Sequence, residues 1–271
     1  MAMLLTLAAR SLQELVCRNG AGSLSLVDLP AFAIEKLQLR GINVPSSMLA
    51  GWSLQDLDTL RDRADKAGCP CLVLIEDAPL SFTAPDEGEP DGQCPALDRI
   101  KRLAEAANRL GCNALAIRCD GPDTDEAFDR TAEELKDVMP AVERLELNLL
   151  VAPHEGLTKR PERLTDLLKR IGGFRIGSLP DFGHAATSGD LVDELRKLVP
   201  YAGAVHATVE EFDRKGAHKR YDLAEGVAAI RSVGFLNTLA IDYVGKGDPV
   251  ANIEAARKIL QQAIDADQRE A

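Results

Sequence analysis

Residues 71–77 read CLVLIED: five apolar residues closed by two acids. A short apolar run rich in β-formers and bounded by turn residues reads as a strand buried on both faces, as strands of a parallel sheet are. The same form recurs outward along the chain, at residues 114–120 (ALAIRCD), 147–153 (LNLLVAP) and 239–245 (LAIDYVG). The intervening stretches are charged and amphipathic. Ile100, Leu103, Ala107 and Leu110 form one stripe at helical spacing, and Leu164, Leu167, Leu168 and Ile171 form another. Gly68, Gly111, Gly172–Gly173 and Gly234 stand where each helix must stop before the next strand. Asp248-Pro249 has the form of a helix start, with Asp as N-cap and Pro at the first helical position.

Apolar runs start near Leu4, Gln38, Cys71, Asn113, Glu146, Phe174, Gly203 and Asn237, which spaces them 28 to 42 residues apart. A βα unit takes about 30 residues, so the chain reads as eight such units in series. An open doubly wound sheet would share the alternation. The repeat is even along the whole chain, however, and no G-x-G-x-x-G follows the first strand. Gly245-Lys246-Gly247 is a lone G-x-G and reads as a turn. The expected architecture is a single (β/α)8 barrel, with residues 1–271 as one domain.

Composition narrows the function classes. A chain of 271 residues buries enough surface to need no disulfide or structural metal. Its net charge of −11 repels phosphate backbones, which argues against nucleic acid as a partner. No apolar run approaches the ~18 residues of a membrane span, so no membrane partner is expected. The apolar start lacks a basic region before it and charge returns at Arg10, so no signal peptide is read. Cys17, Cys69, Cys71, Cys94, Cys112 and Cys119 show no paired zinc-site spacing. They read as buried reduced thiols of a cytoplasmic protein. The longest irregular segment, residues 78–95, follows the third strand and should lie over the barrel mouth as a lid or a tolerated insertion.

In barrel enzymes the chemistry sits at the C-terminal ends of the strands. Polar residues at those positions are Asn43 and Ser46 with Trp52 further on, then Glu76, Asp77, Arg118, Asp120, His154, Glu155, Asp181, His184, His206 and Asp242. Three of the four histidines are in this set. With Asp181 and Asp242 they suggest a metal or acid–base site, since carboxylates and imidazole suit a divalent ion such as Mn, Mg, Zn or Co. His218 lies in a basic loop with Arg214, Lys215, Lys219 and Arg220, which reads either as an anion site or as a solvated charge cluster.

Four segments, VAPHEG at 151–156, IGSLPDFGH at 176–184, PYAGAVHAT at 200–208 and LAIDYVGKGDP at 239–249, carry a resemblance to a known family. In order and spacing the chain resembles the xylose isomerase-like barrels of the sugar phosphate isomerases and epimerases, including the ketose 3-epimerases. The first half matches in architecture without a specific motif. The resemblance implies one divalent metal held by a Glu, an Asp, a His and a second Glu, with the two glutamates moving a proton beside the sugar carbonyl. Asp181 and His206 stand at the family's Asp and His. His184 matches a substrate-holding histidine, and His154 a histidine two places after the first Glu. The first glutamate position is Ala152, which can neither ligate nor take a proton, and the second is Asp242, one methylene shorter.

The resemblance thus implies a sugar or sugar-phosphate isomerase/epimerase-like protein with a modified metal site of Asp181, His206 and Asp242. His154, His184 and Glu155 are its expected catalytic residues. Glu155, or Glu76 from the third strand, could stand in for the missing glutamate. The implied substrate is a small sugar or polyol, and homo-oligomers are common among such barrels. Loss of the glutamates also opens a non-catalytic sugar-binding barrel. A third possibility is dehydration or hydrolysis with His154 or His184 as base. A DNA-repair nuclease would need more His and Glu ligands and a basic surface.

Overall fold

The computed structural model of the protein describes residues 3–16, 24–82 and 94–266. Cys17 and most of the segment 78–95 lie outside these described residues. Eight strands, counted first to eighth in chain order, form the wall: Leu4–Ala8, Ile42–Pro45, Cys71–Ile75, Ala114–Asp120, Asn148–Ala152, Ile176–Ser178, Val205–Val209 and Thr238–Tyr243. Each pairs in parallel with its sequence neighbour from the first to the sixth, and the eighth bridges the first and the seventh. The ring closes between the sixth and seventh strands through the bridges Ser178–Ala202 and Asp181–His206. There Gly203 N donates to Ser178 O at 3.1 Å and His206 N to Pro180 O at 2.9 Å. The two-residue strand Leu80–Ser81 adds to this plan by pairing with the end of the fourth strand.

The helices that follow the strands close as their sequences dictate. The helix Leu54–Ala67 starts in a capping box of Ser53 and Asp56 and ends at Gly68, whose φ of 65° suits glycine. Asp248 Oδ1 accepts from Val250 N at 3.0 Å at the head of the helix Pro249–Ala266. Four strands start at least two residues later than their apolar runs, the seventh at Val205 rather than Gly203. Gln38 and Glu146, at φ 56° and 58°, are turn residues ahead of Ile42 and Asn148. Phe174 is fully exposed ahead of Ile176. Apolar character marks the unit but not its first hydrogen-bonded residue.

The strands alternate strictly where the site is built. Leu5 and Leu7, Leu115 and Ile117, Leu149 and Val151, Val205 and Ala207, and Leu239 and Ile241 face the helices in the main core. Their in-between neighbours face the lumen. Inside the lumen, Val73, Ala114, Ala116, Leu150 and Ala204, with Leu179 at the mouth cavity, form a second apolar core that plugs the barrel. Glycine makes room there: a Cβ on Gly203 would lie 2.6 Å from Leu150 Cδ2. The same alternation turns Ala8, Asn43, Arg118, Ala152, His206 and Asp242 inward at the mouth, where all six line one cavity.

Candidate functional site

That cavity has a volume of about 290 Å3, at the low end of the range for small-molecule sites. Arg10, Asp77, His154, Glu155 and Asp181 from the segments after the strands, and His184 from the helix Phe182–Ser188, complete its polar lining. A neighbouring hollow of about 330 Å3 shares Arg10, Glu155, Asp181 and His184 with it, so the mouth is a continuous groove.

Asp181, His206 and Asp242 converge as expected. One potential ligand atom from each lies within 4.8 Å of the others, and the group could hold a metal ion. Closure of the barrel makes this possible, because Asp181 bridges directly to His206 and Thr208 pairs in register with Asp242. Asp181 also caps the helix Phe182–Ser188, its Oδ1 accepting from His184 N at 2.8 Å. Its Oδ2 accepts from the Thr208 hydroxyl.

Arg10 is the residue that sequence reading missed. The first strand pairs with the eighth from Leu4↔Thr238 to Leu7↔Ile241. The short 3-10 turn Ala9–Leu12 that follows therefore emerges beside Asp242. Ser11 Oγ accepts from Tyr243 N at 2.8 Å and pins that turn. Arg10 Nε then donates to Asp242 at 2.7 Å to Oδ1 and 2.9 Å to Oδ2, and Nη2 donates to Oδ2 as well. The carboxylate is fully buried. Burial pushes the pKa of Asp242 upward, but hydrogen bonds from His206 and Arg10 and the charge of Arg10 outweigh it and hold the group down to about 2. The available signal was position alone: a basic residue just past the end of the first strand.

His206 is engaged on both ring nitrogens. Its Nδ1 lies 3.4 Å from Asp242 Oδ2, and its Nε2 lies 3.0 Å from the amide nitrogen of Asn43. That amide donates, so the ring proton sits on Nδ1 and faces the carboxylate. The Oδ1 of Asn43 is buried and has no partner among the described residues. Arg118 projects from the fourth strand into the same cavity and makes no hydrogen bond or ion pair among the described residues. Burial, then the charge of Arg10, depresses its pKa, while Asp77, Asp242 and Asp181 act the other way.

The remaining expected residues divide. His154 and His184 line the cavity. The Nε2 of His184 is 3.0 Å from Ser188 Oγ and 3.3 Å from the Lys159 carbonyl oxygen. The His154 backbone N–H is fixed by Thr158 Oγ1 at 3.1 Å. Glu155 reaches the rim, but its carboxylate pairs with Lys159 at 2.9 Å and its side chain is 72% exposed. Glu76 is buried against Arg99 and Ser46 rather than in the cavity lining, and Asp77 takes the lumen position instead. His218 is structural: it accepts from Glu210 N, donates to Tyr221 O and packs edge-on against Phe212 and Tyr221. In the same loop Lys219 pairs with Glu211 and Arg220 with Glu210, so those two charges are already answered.

Against a metal of the family's kind the fit is incomplete. Donor types and spacing are right. Both oxygens of Asp242, however, are taken by a cation from within the chain, both oxygens of Asp181 and both nitrogens of His206 have protein partners, and Ala152, where the resemblance puts a glutamate ligand, lines the cavity with a methyl.

Comparison with known proteins agrees with this architecture. Solved structures of similar fold include an L-ribulose 3-epimerase, with TM-score 0.79 at 13% identity, covering 100% of this chain and 97% of that one. The IOLI protein with a bound zinc atom gives TM-score 0.73 at 14% identity over 97% and 99% of the two chains. The probable 3-DHS dehydratase AsbF of Bacillus anthracis gives 0.71 at 14% identity over 96% and 99%. At such identities the likeness establishes the fold. No curated protein sequence matches the chain. The sequence profile of one family does match, over residues 33–265, and with the closed parallel barrel it places this chain in the xylose isomerase-like TIM barrel family.

Proposed function

We propose that the mouth binds a small sugar or sugar phosphate and that the protein acts on it as an isomerase or epimerase. The observation that carries this reading is convergence. Asp181, His206, Asp242, His154 and His184 come from different strands and loops and line one cavity. Isomerisation and epimerisation both need a base placed beside a carbonyl and a group that stabilises charge on its oxygen. His154 and His184 are the bases in this reading, and Glu155 joins them once its exposed pair with Lys159 opens. The unpartnered Oδ1 of Asn43 would accept a substrate hydroxyl. Arg118 would receive an acidic substituent, which favours a phosphate-bearing sugar over a neutral one. No step is routed through a metal, because the donor set is already engaged within the chain. The described cysteines are free and buried, in keeping with a reducing cytoplasm, and no helix among the described residues is long and apolar enough to cross a membrane.

Ala152 supports a second reading, a barrel that binds sugars without turning them over. One experiment separates the two. Ketoses and their phosphates are screened by thermal shift, and each binder is then incubated in D2O and followed by NMR. Deuterium entering the carbon beside the carbonyl supports the enzyme. Binding without exchange supports the non-catalytic barrel, and absence of any binder overturns both.

A further inference from the structure

We propose that the Arg10 guanidinium is the resident cation of this mouth, standing in place of the divalent ion that the family's ligand set implies. Asp242 is a fully buried carboxylate and needs a positive partner. Arg10 supplies it from a position fixed twice over, by the register of the first strand against the eighth and by the Tyr243–Ser11 hydrogen bond. Nε spans both Asp242 oxygens, at 2.7 and 2.9 Å. A metal ligated at the usual ~2.0–2.2 Å would approach the same oxygens that the guanidinium holds, so one cation must leave for the other to enter. Ala152 argues for which one stays: a side chain that cannot ligate faces the cavity where the family's first glutamate belongs.

The substitution changes the chemistry on offer. A guanidinium keeps its charge at any physiological pH and presents five N–H groups in a plane. Nε and Nη2 serve Asp242, which leaves Nη1 for a ligand oxygen. The mouth would therefore stabilise a polarised carbonyl or oxyanion by charge-assisted hydrogen bonds, without the acidified water that a metal ion generates. This last consequence rests on the mouth being a sugar site; the choice of cation does not.

The test reads ion uptake and needs no sugar. The full chain is stripped with EDTA and titrated with MnCl2, and free Mn is followed by electron paramagnetic resonance. Wild type should take up no stoichiometric ion. Arg10→Met, which keeps the stem but frees Asp242, should take up one ion per chain, binding at least about tenfold more tightly than wild type. Adding Asp242→Asn should abolish that gain, and Arg10→Lys, which retains a cation, should behave as wild type. One tightly held ion in wild type overturns the proposal, as does a folded Arg10→Met protein that binds none. Should Arg10→Met fail to fold, wild type and Arg10→Lys decide it: uptake by either overturns the proposal, and none by both supports it. Failure to find a sugar would leave this result untouched.

Discussion

The two ends of the barrel differ in the use they make of polar groups. The foot has the larger hollow, about 900 Å3 among the strand starts, against about 290 Å3 at the mouth. Yet the foot's asparagines tie one strand start to the next: Asn148 donates to Asn113 O at 3.2 Å and Asn237 to Gly203 O at 2.8 Å. At the mouth, Asn43 retains a buried unpartnered oxygen and Arg118 lacks a partner among the described residues. Volume does not mark the candidate site. Unsatisfied polarity turned toward a cavity does, because burying such groups is costly and persists where a ligand completes them.

The largest break in this comparison should come from Arg10→Met. It strands a buried carboxylate, and chemical denaturation should show a loss of about 3–5 kcal/mol. Added divalent ion should recover part of it. An unchanged midpoint would mean that Asp242 does not depend on Arg10. The next effect is acid sensitivity. The pKa of Asp242 falls from an ordinary 3.8 to about 2 on folding, so its contribution is present above the ordinary value and is lost as pH falls between the two. That contribution is about 2 kcal/mol, and Asp242→Asn should flatten this part of the stability–pH curve. At the foot, Gly203→Ala should cost on the order of 1 kcal/mol, the low end for overpacking, because the Leu150 methyl it meets can shift. Sugar affinity at the mouth should not change, and a change would join the two ends. The smallest effect is Lys159→Ala. Its pair with Glu155 is exposed, so stability should move by under about 0.5 kcal/mol, while any rise in turnover would show Glu155 entering the site.

Much of this was legible locally. Strand alternation, helix stops at Gly68 and Gly111, and the Asp248-Pro249 cap are short-range patterns, and the structure follows them. Asp181, His206 and Asp242 were legible because strand parity turns the polar residues of alternate positions at a strand end toward the mouth. Glu76 shows the limit. It ends the third strand as Asp77 does, but one residue of parity sends it to Arg99 and leaves the cavity to Asp77.

The sequence by itself determined an eightfold barrel and the acids and histidines gathered at one end of it, because period, caps and alternation are written in neighbouring residues. Only the tertiary structure decided that Asp242 belongs to Arg10. The two are 232 positions apart, and their pairing exists only once the first strand lies in register against the eighth. A charge's partner is set by closure of the ring, and closure is a property of the whole chain.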